Sequence, residues 1–464
     1  MMKRIVIAAL ALASLVPAFG QEKGAITPDM LSRISAKYEG TASDKAIKNA
    51  LAGTSIATLA INSENAAMID THFTDQVKSK GITDQKSSGR CWLFTGLNVL
   101  RAKSMEEFEL PEFQFSQNYC FFYDQLEKAN LFLQGVIDTR KMPMDERKVD
   151  HLFANPVSDG GTFTGVVDLV NKYGVVPSEA MPETFCSNNT SQMAMLLGRK
   201  LREDGLRLRG AAADGANEKT LAAMKEEQLA EIYRVLCLCL GVPPQEFTWT
   251  RCDKDGKIVA MEKHTPISFR DKYAANELFD GYVMLMNDPS REYGKIYDID
   301  YDRHVYEGHN WLYVNLPIED IKKMAIASIK AGDAMYFSCD VGKFLDRTKG
   351  TLDLANFDYS SLLGIDFTMD KRERIITHAS GSSHAMTLVA VNVLEDGSTD
   401  KWMVENSWGM TGYKGHLIMT DEWFDEYMFR LVVKTKYVPS DILGMFRQKP
   451  VLLPAWDPMF MPEE

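Results

Sequence analysis

The sequence is short of positive charge, of metal-ligand clusters and of apolar runs after its start. It carries 52 Lys and Arg against 64 Asp and Glu, a formal net charge of −12. A general nucleic-acid partner or an anionic membrane surface calls for the opposite balance, and neither is expected. Cysteine is sparse at seven residues, and its spacing fits no metal site. Cys237-Leu238-Cys239 is too tight for a zinc knuckle and lies in an apolar helical run. Asp253, Asp255, Gly256 and Glu262 fit part of a calcium loop, but Arg251 stands at its first ligand position. That stretch reads as a β-hairpin with an Asp-Gly turn. No metal or cofactor is expected, and no internal repeat is evident.

One apolar run is present, over residues 5–19, behind Lys3 and Arg4 and before the small residues around Gly20. It is short for a membrane span and is soon followed by charge, so residues 1–20 read as an export signal. The protein is therefore expected to be periplasmic or secreted, with no membrane attachment after cleavage. The remainder, residues 21–464, is long enough for a large core in one big domain or two lobes. An odd cysteine count in an exported chain leaves at least one thiol unpaired. Cys91 is the candidate. Cys120, Cys186, Cys237, Cys239, Cys252 and Cys339 read as core residues, with disulfides left open.

The stretch from Gln85 to Phe94 is where chemistry concentrates. A Ser87-Ser88-Gly89 turn precedes Cys91, and an apolar, helix-compatible run follows it. Cys91 is thus expected in the first turn of a helix running to about Phe108, where amide hydrogens and the helix dipole favour a thiolate. Gln85 can bring an amide donor to the same point. With the Cys91 backbone N–H it would form an oxyanion hole. A buried structural Cys at a helix start is the plainer reading of Cys91 alone. A catalytic one needs a base, and the base needs an orienter.

Both occur far downstream. His384 opens a strongly apolar strand to Val393, and a second strand from Lys401 ends at Asn406-Ser407-Trp408-Gly409. The Glu395-Asp396-Gly397-Ser398 turn between them makes a hairpin, so His384 and Asn406 meet at one end of a sheet. The Asn carbonyl then accepts from one ring nitrogen and fixes the tautomer, and Trp408 covers that bond. His378 is a nearby alternative, but no strand starts there.

Between these blocks, Ser116 is a plausible N-cap for an aromatic-rich helix, and residues 166–173 form a helix closed by Gly174. Gly160 and Gly161 precede it and permit close approach by another backbone, either a substrate strand or an ordinary turn. Residues 190–240 read as helices. Residues 310–316 and 334–340 read as strands, with a helix opening at Pro317 between them.

In order and residue type, Gln85, Cys91-Trp92, His384 and Asn406-Ser407-Trp408-Gly409 resemble a papain-type cysteine peptidase. Ordinary members carry His and Asn roughly 130–150 residues after the Cys; here the gap is roughly 300. That spacing, with Asp159-Gly160-Gly161, Tyr173-Gly174-Val175-Val176-Pro177, His384-Ala385-Met386 and Leu453-Pro454-Ala455-Trp456-Asp457-Pro458-Met459, resembles the bleomycin hydrolase or aminopeptidase C branch. The resemblance implies an α+β, two-lobe papain-like fold. A helical lobe would carry Cys91, and a β-barrel-like lobe would carry His384 and Asn406. It further implies a family-type insertion over residues 190–310 and a C-terminal arm, residues 450–464, lying in the cleft.

By the same resemblance the protein is a thiol aminopeptidase acting on peptides as a ring-shaped homohexamer. Cys91, His384, Asn406 and Gln85 would be catalytic. Gly160, Gly161, Trp408 and the terminal Glu464 would contact substrate, with the terminal carboxylate receiving its ammonium group. The bulkier, acidic tip after Met459 departs from the family. Competing readings are an endopeptidase or acyl-transferase with an open cleft, and a non-catalytic ring scaffold.

Overall fold

A computed structural model describes residues 24–65, 70–78, 81–110, 112–253, 255–274, 281–457 and 459. The export-signal expectation and Glu464 lie outside the described residues. Residues 24–61 with 359–364 form one unit, and the remainder forms another. The small unit is made of short helices, Pro28–Ser35, Ala42–Leu51, Ile56–Leu59 and Tyr359–Leu363. Its first three begin at Thr27, Thr41 and Ser55, whose hydroxyls accept from the first-turn backbone.

The large unit contains two hydrophobic cores. The first surrounds the helix Cys91–Glu107. Its opening ten residues are all buried, so it lacks a polar face and must sit inside the fold. Gln117–Asp138 packs beside it, capped by Ser116, whose hydroxyl accepts from the Tyr119 N–H at 3.0 Å. The helix before Gly174 spans Phe163–Tyr173, three residues earlier at its start than the apolar pattern indicates. Gly174 has φ +76°, and a side chain there would meet the Pro266 carbonyl. The expected helices of residues 190–240 are Ser191–Ala213 and Glu218–Leu240. The stretch with calcium-loop character is the hairpin Phe247–Cys252 with Ile258–His264.

The second core lies on a mixed sheet of twelve strands among the described residues. At its centre Met335–Cys339 pairs antiparallel with His384–Val393, which pairs antiparallel with Thr399–Glu405. The helix between the flanking strands is Ile318–Lys330, opened by Pro317. Successive side chains of a strand point to opposite faces. Accordingly Ala385 belongs to the first core and Met386 to the second. The start of this strand is the seam where the cores meet.

Among the described residues Cys120, Cys186, Cys237, Cys239 and Cys252 form no disulfide. Cys120 and Cys339 are buried, as read from the sequence. Cys186, Cys237, Cys239 and Cys252 are only half-buried, because they sit on the flanking helices and the hairpin edge. This corrects their reading as core residues.

Candidate active site

Cys91 is the first residue of its helix. Arg90 precedes it with no side-chain cap on the opening turn. The approach is rigid. Arg90 is fully buried and its guanidinium forks onto Glu183 at 3.1 and 2.8 Å. Its Nε also donates to Ser88 at 3.0 Å. The Gly89 N–H donates to the Asp159 carboxylate at 2.7 Å, and Trp92 donates its indole N–H to the Asp159 carbonyl at 2.8 Å. Asp159 thereby ties the segment 158–161 to both sides of Cys91.

The Cys91 sulfur accepts from the Ala385 N–H at 3.5 Å, which places the thiol beside the start of the His384 strand. His384 Nε2 lies 2.9 Å from Asn406 Oδ1. The same oxygen accepts from the Ser407 N–H at 2.8 Å, which establishes which end of the amide faces the ring. An amide oxygen only accepts, so Nε2 carries the hydrogen and Nδ1 is the nitrogen left for proton exchange. The Trp408 ring lies over His384 with centroids 4.9 Å apart, and the Arg347 guanidinium sits 4.5 Å above that indole. Asn406 Nδ2 is buried without a hydrogen-bond partner in the described structure.

Gln85 is held from both ends. Its Nε2 donates to the Ser88 carbonyl at 2.6 Å, and its Oε1 accepts from the Ser407 hydroxyl at 2.6 Å. One amide hydrogen is thus committed, and the second remains for a ligand oxygen. Its backbone N–H donates to the Ser407 carbonyl at 2.8 Å, so Gln85 and the Asn406 segment move as one. Cys91, His384, Asn406 and Gln85 are brought together here and nearly closed off from solvent.

A cavity of about 860 Å³ reaches Ser383, the residue before His384, although none of these four side chains lines it. Gly160 and Gly161 line one wall, Asp340, Ser382 and Ser383 another, and Trp456 a third. Asp340 follows Cys339, the residue paired with His384, and receives the Ser380 hydroxyl at 2.7 Å. Burial raises its pKa above the usual carboxylate range. The C-terminal arm reaches this cavity. Val451–Leu453 joins the sheet parallel to Lys295–Ile299, Asp457 pairs with Arg291, and the Met459 carbonyl accepts from buried Arg430 at 2.9 Å.

Several residues of this neighbourhood carry no signal in the sequence, namely Glu183, Ser407's hold on Gln85, and the buried cluster Asp124, Lys128 and His304. Only the Asp-Gly-Gly motif pointed to Asp159. Among the described residues no cluster of His, Cys, Asp and Glu could hold a metal ion.

Residues 25–460 match the Peptidase C1-like family, and the chain belongs to that family. Human bleomycin hydrolase is 42% identical over 392 residues, covering 82% of this chain and 86% of that protein. Aminopeptidase C of Streptococcus thermophilus is 36% identical, covering 94% and 98%. The crystal structure of PepW from Lactobacillus rhamnosis superimposes with a TM-score of 0.90 at 35% identity, covering 94% of this chain and 99% of that one. The fold is accordingly the papain-like α+β fold, and the chain stands among the cysteine-type aminopeptidases of its family.

Proposed function

We propose that this protein is an exported thiol aminopeptidase that removes N-terminal residues from peptides. The supporting observation is the seam where the Cys91 sulfur meets the Ala385 N–H while His384 is bonded to Asn406 at 2.9 Å. Cys91 attacks the scissile carbonyl. His384 receives the thiol proton through Nδ1 and delivers it to the leaving amine. Asn406 orients the ring, and Trp408 keeps water from that bond. The uncommitted hydrogen of Gln85 and the Cys91 amide stabilise the oxyanion. Water then releases the acyl group by the same route.

An exopeptidase needs a wall across its cleft and an anion at the wall. The arm that runs through Trp456, Asp457 and Met459 supplies the wall in this reading, with the terminal carboxylate of Glu464 as the anion. Gly160 and Gly161 face the same cavity and receive the substrate backbone. Export to the periplasm or beyond and assembly as a homohexameric ring belong to the same proposal. The acidic balance of the chain supports peptide rather than nucleic-acid partners.

The test is turnover of free-amine aminoacyl fluorogenic substrates by wild type and Cys91→Ala. Activity abolished in the variant supports the assignment, whereas hydrolysis that persists overturns it.

A further inference from the structure

Next to Gly160 and Gly161, and reaching the same cavity through Lys128 and His304, lies a buried charged cluster with no place in the chemistry above. Asp124, on the helix Gln117–Asp138, is fully buried. It receives Lys128 Nζ at 2.8 Å and lies 2.5 Å from His304 Nδ1. Lys128 also donates to the carbonyls of Ser158 and Gly160 at 3.0 and 2.6 Å, and its Nζ lies 5.3 Å from the Trp92 ring. The His304 ring stands edge-on to Trp92, centroids 4.6 Å apart. It occupies the space that a side chain at Gly161 or Gly165 would need. Both glycines are therefore required by this ring, whatever else they permit.

The carbonyls of Ser158 and Gly160 are thus held by Lys128 and that of Asp159 by Trp92, while the His304 ring packs against Gly161. Burial, with Lys128 nearby, lowers the His304 pKa from its ordinary value, and its Nδ1–H donates to the Asp124 carboxylate. Burial opposes the Asp124 charge, but Lys128 and His304 outweigh it and keep the carboxyl ionised.

We propose that Lys128 and His304, joined through Asp124, are positioning residues that hold residues 158–161 as a rigid ledge for an extended peptide in the cleft. The proposal rests on the peptidase reading above. An edge fixed before binding loses less conformational freedom when a peptide backbone lies along it. The cluster acts on peptide recognition and leaves the Cys91 thiol itself alone.

The experiment compares two thiol reagents on the full chain, with modification of Cys91 followed by mass spectrometry. A peptidyl epoxide needs the ledge, and iodoacetamide does not. In Lys128→Met and His304→Phe, peptidyl epoxide inactivation is expected to slow about tenfold, the worth of a charge-assisted hydrogen bond, while iodoacetamide changes less than about twofold. KM for aminoacyl substrates rises more than kcat falls, and Lys128→Arg recovers most of the loss. An equal slowing of both reagents, or no change in either, overturns the proposal. If His304→Phe does not fold, Lys128→Met alone decides. Failure of the peptidase reading shows differently, as peptide turnover surviving in Cys91→Ala.

Discussion

Arg101, on the helix that begins at Cys91, donates to Glu405 at 2.6 Å, and both side chains are about 1% exposed. Glu405 is the residue before Asn406. The bridge joins the helix bearing the thiol to the strand bearing the orienting amide, across the seam between the cores. A buried ion pair is weak evidence of stability, but removing one partner strands the other charge. Arg101 also holds the Gly81 carbonyl at 2.9 Å, a bond too small to compensate.

Glu405→Ala is therefore expected to destabilise the large unit by about 3–5 kcal/mol. The measurement is a urea midpoint at unchanged slope. A midpoint equal to wild type would show that the pair is dispensable.

Asn406→Ala removes the oxygen that fixes the His384 tautomer while leaving the thiol in place. kcat is expected to fall roughly a hundredfold, the low end of an acid–base contribution, with KM nearly constant. Steady-state kinetics on one aminoacyl substrate checks it. A rise in KM at constant kcat would place Asn406 in binding instead.

Lys371 is buried, and its Nζ lies 2.6, 2.8 and 2.6 Å from Asn287 Oδ1 and the Asp425 and Met428 carbonyls, of which a neutral amine can serve two. Burial pushes its pKa down from 10.5 to about 7. Between those two values the unfolded chain binds the proton and the folded chain does not, so stability rises with pH across that window. The contribution is lost as pH falls toward 7, at up to about 1.4 kcal/mol per pH unit. The stability difference between wild type and Lys371→Met should carry this slope between pH 7 and 10, since every other group titrates in both. A flat difference would mean that the lysine stays charged in the fold.

Arg291 pairs with Asp457 and lies 3.2 Å from Asp288, anchoring the arm to the body. Arg291→Met leaves Asp457 buried without that cation and should loosen the arm. Cleavage of an N-acetylated peptide is expected to rise relative to its free-amine counterpart, read by mass spectrometry. Deletion of Glu463 and Glu464 should shift the ratio the same way. An unchanged ratio in both would remove the arm from substrate selection.

Local order was readable where it depends on neighbours in the chain. The Cys91 helix, the Ser116 cap, the Gly174 stop, the Asp-Gly hairpin and the two strands at His384 and Lys401 all follow from short-range periodicity and turn chemistry. The half-buried cysteines were misread because helical periodicity shows that a face is apolar without showing what covers it. The Asp124–Lys128–His304 cluster was invisible because its partners lie about 180 residues apart and no local pattern distinguishes a buried His from an exposed one.

By itself the sequence determined the residue types at the site, the helix start that presents Cys91, and the hairpin that brings His384 to Asn406. Each of these is a short-range consequence of backbone geometry. Only the tertiary structure decided that the Cys91 sulfur meets the Ala385 amide, that Gln85 is clamped by Ser407 and Ser88, and that a buried histidine packs against Gly161. Those contacts arise when two apolar cores close against each other and their few enclosed polar groups must find partners there.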